Sequence, residues 1–122
     1  MRFSETFKNL DPTPRVREYT LRRTEKLRRL TKHFRADSVH LQLTLELQPK
    51  KAQHSTALAL HLPSQTLTAR EQARDELSSL KLAFDTLERQ LEGFKSRRRR
   101  EASYRQGRAG GTRPRGASGA LS

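Results

Sequence analysis

Basic side chains are the residues of this chain best placed to do chemistry. One stretch carries Arg15, Arg17, Arg22, Arg23, Lys26, Arg28, Arg29 and Lys32, with only Glu18 and Glu25 among them. A second carries Lys95, Arg97, Arg98, Arg99 and Arg100. Runs of this kind recognise phosphate, arginine through paired N–H donors and lysine as a point charge. Residues 1–35 hold 11 Lys/Arg against 4 Asp/Glu, residues 36–94 hold 6 against 8, and residues 95–122 hold 9 against 1. The formal net charge of +13 therefore belongs to two basic ends around a nearly neutral middle. If the fold brings those ends to one side, their surface is a receptor for a polyphosphate backbone. A charge run alone is usually just a solvated face. Here the scarcity of balancing acids and the second cluster far along the chain argue for a polyanion.

Other chemistry finds little support. His33, His40, His54 and His61 show no ligand spacing of the HExxH kind. His40 and His61 alternate with leucines and belong on the polar face of strands. Five of the six glycines follow Ala102, so no glycine-rich phosphate loop exists upstream. The carboxylates form no paired motif; Asp75 and Glu76 suit the first turns of a helix, where negative charge meets the positive end of the dipole. No nucleophile–base set can be named, so neither an enzyme nor a cofactor, metal or small-molecule substrate is expected. The chain has no cysteine, which excludes disulfides and thiolate metal sites and fits a reducing compartment. The N-terminus lacks the apolar run of a signal peptide. No stretch approaches the ~20 apolar residues of a membrane span. A soluble cytoplasmic protein is the expectation.

These residues need elements to position them. Arg2 to Phe7 reads as a short strand. Pro12 and Pro14 interrupt regular structure, and Thr13 before Pro14 reads as an N-cap followed by the first helical residue. A helix is expected from about Pro14 to Lys32, with Val16, Tyr19, Leu27 and Leu30 on its apolar stripe and Thr20 and Thr24 filling it. Its crowded like charges repel by a few tenths of a kcal/mol per pair, a cost that a bound polyanion relieves. From Val39 to Gln48, leucines alternate with polar residues, the period of a half-buried strand. A second strand is expected near His54–Leu62 and a third at Thr66–Thr68, together an antiparallel meander. From about Glu71 the period changes. Ala73, Leu77, Leu80, Phe84, Leu87, Leu91 and Phe94 mark a long amphipathic helix, and Thr68 with Glu71 suggests a capping box that starts it early. A coiled-coil seam is the other reading of this stripe, but the strands' apolar face needs a cover. The expected fold is α+β, β-α-β-β-β-α: a four-stranded sheet with both helices packed on one face and the first strand parallel to a strand of the meander. Residues 1–96 form the domain, and 97–122 a disordered basic Arg/Gly-rich tail, into whose first arginines the helix extends before fraying.

The ordered series of motifs resembles the bacterial ribosome hibernation-promoting factors, also known as ribosome-associated inhibitors or sigma modulation proteins. The segment Thr13–Leu27 is similar to their first helix, with Thr13, Val16, Arg17, Glu18, Tyr19, Lys26 and Leu27 matching. Val39–Leu47 looks like their second strand, and His54 falls where many members have a histidine. Asp75, then Asp85, Leu87, Arg89, Gln90 and Leu91, followed by Lys95, resemble the second helix and its basic exit. The likeness spans about residues 2–100. It implies a non-catalytic domain that binds the small ribosomal subunit and its rRNA in the tRNA/mRNA channel, blocks translation and preserves idle ribosomes under stress or in stationary phase. Arg23, Lys26, Arg89 and Lys95 match basic family positions. Helical geometry and charge add Arg22, Arg29, Arg97, Arg98, Arg99 and Arg100 as expected rRNA contacts. Replacing Arg22, Arg23, Lys26 and Arg29 by Gln is expected to weaken binding and leave the fold intact. Leu77 stands where the family usually has an aromatic residue, an acidic residue near Ala57 is replaced, and the separate dimerisation domain of long members is missing. A short, divergent form, monomeric off the ribosome, is expected. The alternatives are a general DNA/RNA-binding module and a protein-interaction regulator of transcription.

Overall fold

The computed structural model describes the backbone of residues 1–109 and the side chains of residues 1–99. The elements are β1 (Arg2–Lys8), α1 (Pro14–Leu30), β2 (His40–Gln48), β3 (Gln53–His61), β4 (Thr66–Ala73) and α2 (Glu76–Ala109). This is the expected β-α-β-β-β-α order. Contacts divide the chain into two units, Met1–Gln90 and Leu91–Ser122. Among the described residues no helix is long and apolar enough to cross a membrane.

The sheet has the order β1-β2-β3-β4. β1 pairs with β2 in parallel, with Phe3 opposite Leu41 and Phe7 opposite Leu45. The link between these two strands is α1, the crossover that parallel neighbours require. β2–β3 and β3–β4 are antiparallel. Alternation then sorts the side chains. Leu41, Leu43 and Leu45 of β2, Leu58 and Leu60 of β3, and Leu67 and Ala69 of β4 are all buried. Against this face lie Val16 and Leu27 of α1 and Leu80, Ala83, Phe84 and Leu87 of α2, also buried. Each leucine withdrawn from water contributes roughly 1.5–3 kcal/mol, and this set is the core of the first unit. His40 and His61 lie on the other, open face as directly opposed residues, their rings 5.9 Å apart.

Local chemistry sets the element boundaries. The Thr13 side chain accepts a hydrogen bond from the Val16 N–H at 3.2 Å, with Pro14 at the first helical position. This is the expected cap. Thr31 closes α1 by donating from its backbone and its hydroxyl to the Leu27 carbonyl. Asn9, at φ 61°, and Ala52, at φ 50°, turn the chain in the left-handed region. Asn9 is a residue type that tolerates this geometry, and its side-chain amide donates to the Leu47 carbonyl.

Two expected boundaries are corrected. The helix does not start at a Thr68–Glu71 capping box, because β4 continues to Ala73, paired with His54 of β3. A full ladder against β3 satisfies more backbone than an early first turn would. Asp75 caps α2 instead, its carboxylate accepting from the Ser78 N–H at 2.8 Å and the Ser78 hydroxyl at 2.9 Å. Those bonds favour the ionised carboxylate and hold its pKa below the ordinary value. The end of α2 also lies further on than expected: its backbone stays helical through the arginine run to Ala109, a segment rich in the strong helix formers Arg, Glu, Ala and Gln. The rest of the expected tail, residues 110–122, falls outside the described residues.

Candidate nucleic-acid interface

α1 presents its cations in distinct rows. Arg15, Arg22 and Arg29 recur every seven residues, two helical turns, so they form one line along the helix with about 10 Å of rise between neighbours. All three are exposed. Arg22 rests over the Tyr19 ring at 5.6 Å from its centroid. None of the three makes an ion pair within the described residues. Lys26 is exposed beside this row and forms an ion pair with Glu88 of α2 at 3.0 Å. Arg17 and Arg28 lie on the opposite flank, where Arg28 pairs with Glu25.

Arg23 has a different place. Its side chain is 14% exposed and lies in the seam between α1 and α2. One terminal nitrogen donates to the Tyr19 hydroxyl at 2.6 Å. The other donates to Asp85 Oδ1 at 2.8 Å and Glu88 Oε2 at 3.0 Å. The guanidinium also stacks over Phe84, 5.2 Å from the ring centroid. Burial works against its charge, but the bonds to Asp85 and Glu88 outweigh that, and its pKa is raised above the ordinary value. Asp85 in turn accepts from Lys81 at 2.8 Å. That bond, with the one from Arg23, holds the Asp85 carboxyl below its usual range against the opposing effect of burial. The seam is a closed set of charges: Asp85 joins Arg23 to Lys81, and Glu88 joins Arg23 to Lys26. Arg23 is therefore part of the fold. Removing Arg23 takes one cation from each of two carboxylates at a helix–helix contact and leaves Asp85 with Lys81 and Glu88 with Lys26, so its loss costs more stability than that of an exposed arginine.

The remaining expected residues lie on α2. Arg89 is exposed and donates to the Thr86 hydroxyl at 3.2 Å. Thr86 donates to Glu71 of β4, so this position is tied back to the sheet. Gln90 next to it donates to the Thr68 carbonyl at 2.6 Å. In the second unit, Lys95 is half-buried, and Arg97, Arg98 and Arg99 are exposed on the helix. The Arg98 guanidinium lies 5.7 Å from the Phe94 ring centroid. Arg100 is helical in backbone.

Sequence reasoning missed the seam although its signal was present. Arg23 falls seven residues after Val16 and four before Leu27, within the stripe that faces the core. Asp85 and Glu88 each directly follow a buried position, Phe84 and Leu87. A cation in the stripe of one helix and carboxylates on the shoulder of the next signal an inter-helix pair.

The chain is thus a small α+β domain with a four-stranded sheet, a helix layer on one face and, on that layer, a row of exposed arginines without ion pairs among the described residues. Its family follows from comparison. The family described as sigma 54 modulation protein / S30EA ribosomal protein matches residues 4–99, and this chain belongs to it. No curated protein matches the sequence. Among solved structures, a ribosomal subunit interface protein from Coxiella burnetii is similar with a TM-score of 0.62 and 21% identity, over 79% of this chain and 99% of that one. The N-terminal domain of Protein Y from Thermus thermophilus is similar with a TM-score of 0.60 and 23% identity, over 77% and 99% respectively. At these identities the likeness concerns the fold.

Proposed function

We propose that this chain is a non-catalytic, cytoplasmic, ribosome-associated factor, monomeric when free. It seats its helix layer in the tRNA/mRNA channel of the small subunit, halts translation by filling that space, and so promotes hibernation under stress or in stationary phase. The observation that carries this reading is the exposed row Arg15–Arg22–Arg29 on a module whose family is described as ribosomal. Exposed arginines with no carboxylate partner among the described residues bring uncompensated charge to phosphates, and the shape of folded RNA rather than base edges then supplies selectivity. Lys26 and Arg89 extend the contact within the first unit. Lys95, Arg97, Arg98, Arg99 and Arg100 offer a second set of phosphate contacts from the C-terminal part of α2. Arg23 serves this surface indirectly, by fixing α1 against α2.

Sucrose-gradient sedimentation with bacterial ribosomes tests the proposal. The full chain should co-migrate with small subunits or whole ribosomes at low salt and dissociate steeply as salt rises, because bound phosphates release counterions. Failure to co-migrate at low salt, together with tight binding to bare duplex nucleic acid, would show a general basic module instead.

A further inference from the structure

A groove of about 320 Å³ opens between the first turns of α1 and α2. We propose that it receives one unstacked nucleotide of RNA, with Arg15, Arg22 and Lys81 holding the phosphate and the paired Tyr19 and Arg22 planes stacking the base. The inference rests on the RNA-binding reading above and names what the helix layer grips.

Three features converge on that occupant. The first is charge. Arg15 and Arg22 line one wall and Lys81 the other, against a single acidic lining residue, Glu18. The second is a flat π surface. Tyr19 lines the groove, and the guanidinium groups of exposed Arg22 and of Arg23 each lie 5.6 Å from its ring centroid. Splayed-out RNA bases stack on aromatic rings and on guanidinium planes. The third is rigidity. The Tyr19 hydroxyl is held by Arg23 at 2.6 Å, and Arg23 is itself clamped by Asp85 and Glu88. Lys81 is fixed by Asp85 on its own helix at 2.8 Å. The seam thus holds Tyr19 on one wall and Lys81 on the other before any ligand arrives, which lowers the ordering cost of binding. The volume lies at the lower end of the roughly 300–1,000 Å³ of small-ligand sites. Phosphate contact alone needs neither the ring nor the hollow. A bulged or single-stranded nucleotide uses both, and a base stacked inside a helix can reach neither.

The test compares two fluorescently labelled RNA hairpins of equal stem length, one fully paired and one with a single bulged nucleotide, binding the full chain at fixed low salt. Anisotropy should show the bulged hairpin bound about tenfold more tightly, the effect of one aromatic stack. Tyr19→Phe should keep the preference. Tyr19→Leu and Arg22→Lys should lose it while still binding the paired hairpin. Arg22 is exposed, so Arg22→Lys leaves the fold alone even where Tyr19→Leu loosens the seam. Equal affinity of the unmodified chain for the two hairpins, or a preference that survives Arg22→Lys, overturns the groove. Co-sedimentation with ribosomes is scored in parallel. A chain that co-sediments without discriminating hairpins keeps the ribosomal reading and loses the groove. One that discriminates without co-sedimenting does the reverse.

Discussion

Arg22 and Arg23 are neighbours in sequence and opposites in the fold. The seam between α1 and α2 takes Arg23, surrounds it with Tyr19, Phe84, Asp85 and Glu88, and neutralises it. The outer row takes Arg22 with Arg15 and Arg29 and gives them no acid. One helix therefore carries two kinds of cation: one that builds the surface and one that is the surface. Net charge hides the distinction. What separates Arg23 from Arg22 is that its charge is shared with two carboxylates in a seam that leaves its side chain 14% exposed.

The largest expected effect separates the two kinds directly. Arg23→Ala removes the cation that Asp85 and Glu88 share, and urea unfolding should show a loss of about 2–3 kcal/mol. That is less than the roughly 3–5 kcal/mol typical of a fully buried broken pair, because the seam is partly open to water. Arg22→Ala should change stability by no more than about 0.5 kcal/mol. RNA binding should reverse the order. Neutralising Arg15, Arg22 and Arg29 together to Gln should reduce the slope of log K against log salt by about one per arginine, with the unfolding midpoint nearly unchanged. Equal stability losses for Arg22→Ala and Arg23→Ala would erase the distinction.

Much of this arrangement was legible in the residues. Thr13–Pro14 marked the start of α1. The leucine alternation of β2 gave its inward face, and the α2 stripe gave Leu80, Phe84 and Leu87 as core. The start of α2 was misread because Thr68 and Glu71 satisfy a local capping pattern, whereas strand pairing over Thr66–Ala73 is a long-range property of β3. The partners of Arg23 were illegible for a related reason. Periodicity says which residues face inward but not what waits there, and the partners lie 62 and 65 residues away. The row Arg15–Arg22–Arg29 becomes informative only once its neighbours on α2 are known.

The underside of α1 adds a third environment that sharpens the contrast. Thr20 and Thr24 are each 2% exposed, and neither hydroxyl has a hydrogen-bond partner among the described residues. By contrast, the buried Thr56 hydroxyl of β3 meets Ser79 of α2 at 2.8 Å, and Ser79 donates onward to the Glu76 carbonyl. Burying a hydroxyl without a partner costs about 1–3 kcal/mol. Thr20→Val and Thr24→Val keep the shape and remove that cost, so each should raise stability by about 1 kcal/mol. Thr56→Val should lower it, because the Ser79 oxygen then loses its donor. A stabilising Thr56→Val would mean that the hydroxyl pair contributes nothing.

The smallest effect lies in acid. The Asp85 carboxyl is held below its ordinary value, first by Lys81 and then by Arg23. A depressed folded-state pKa stabilises the protein above the unfolded value of about 3.9, and that contribution disappears as pH falls through the folded value. Asp85→Asn should therefore be less stable than the unmodified chain near neutrality, by no more than about 1 kcal/mol for so exposed a carboxylate. The two should converge as the pH falls below about 4. Arg22→Gln has no carboxylate partner to titrate, so its small difference should stay flat over the same range. Denaturant melts from pH 2 to 7, roughly spanning the carboxylate titration, read both variants together. A constant gap for Asp85→Asn would mean that its charge has no part in the seam. A gap for Arg22→Gln that closes in acid would mean that the outer row, too, is balanced from within.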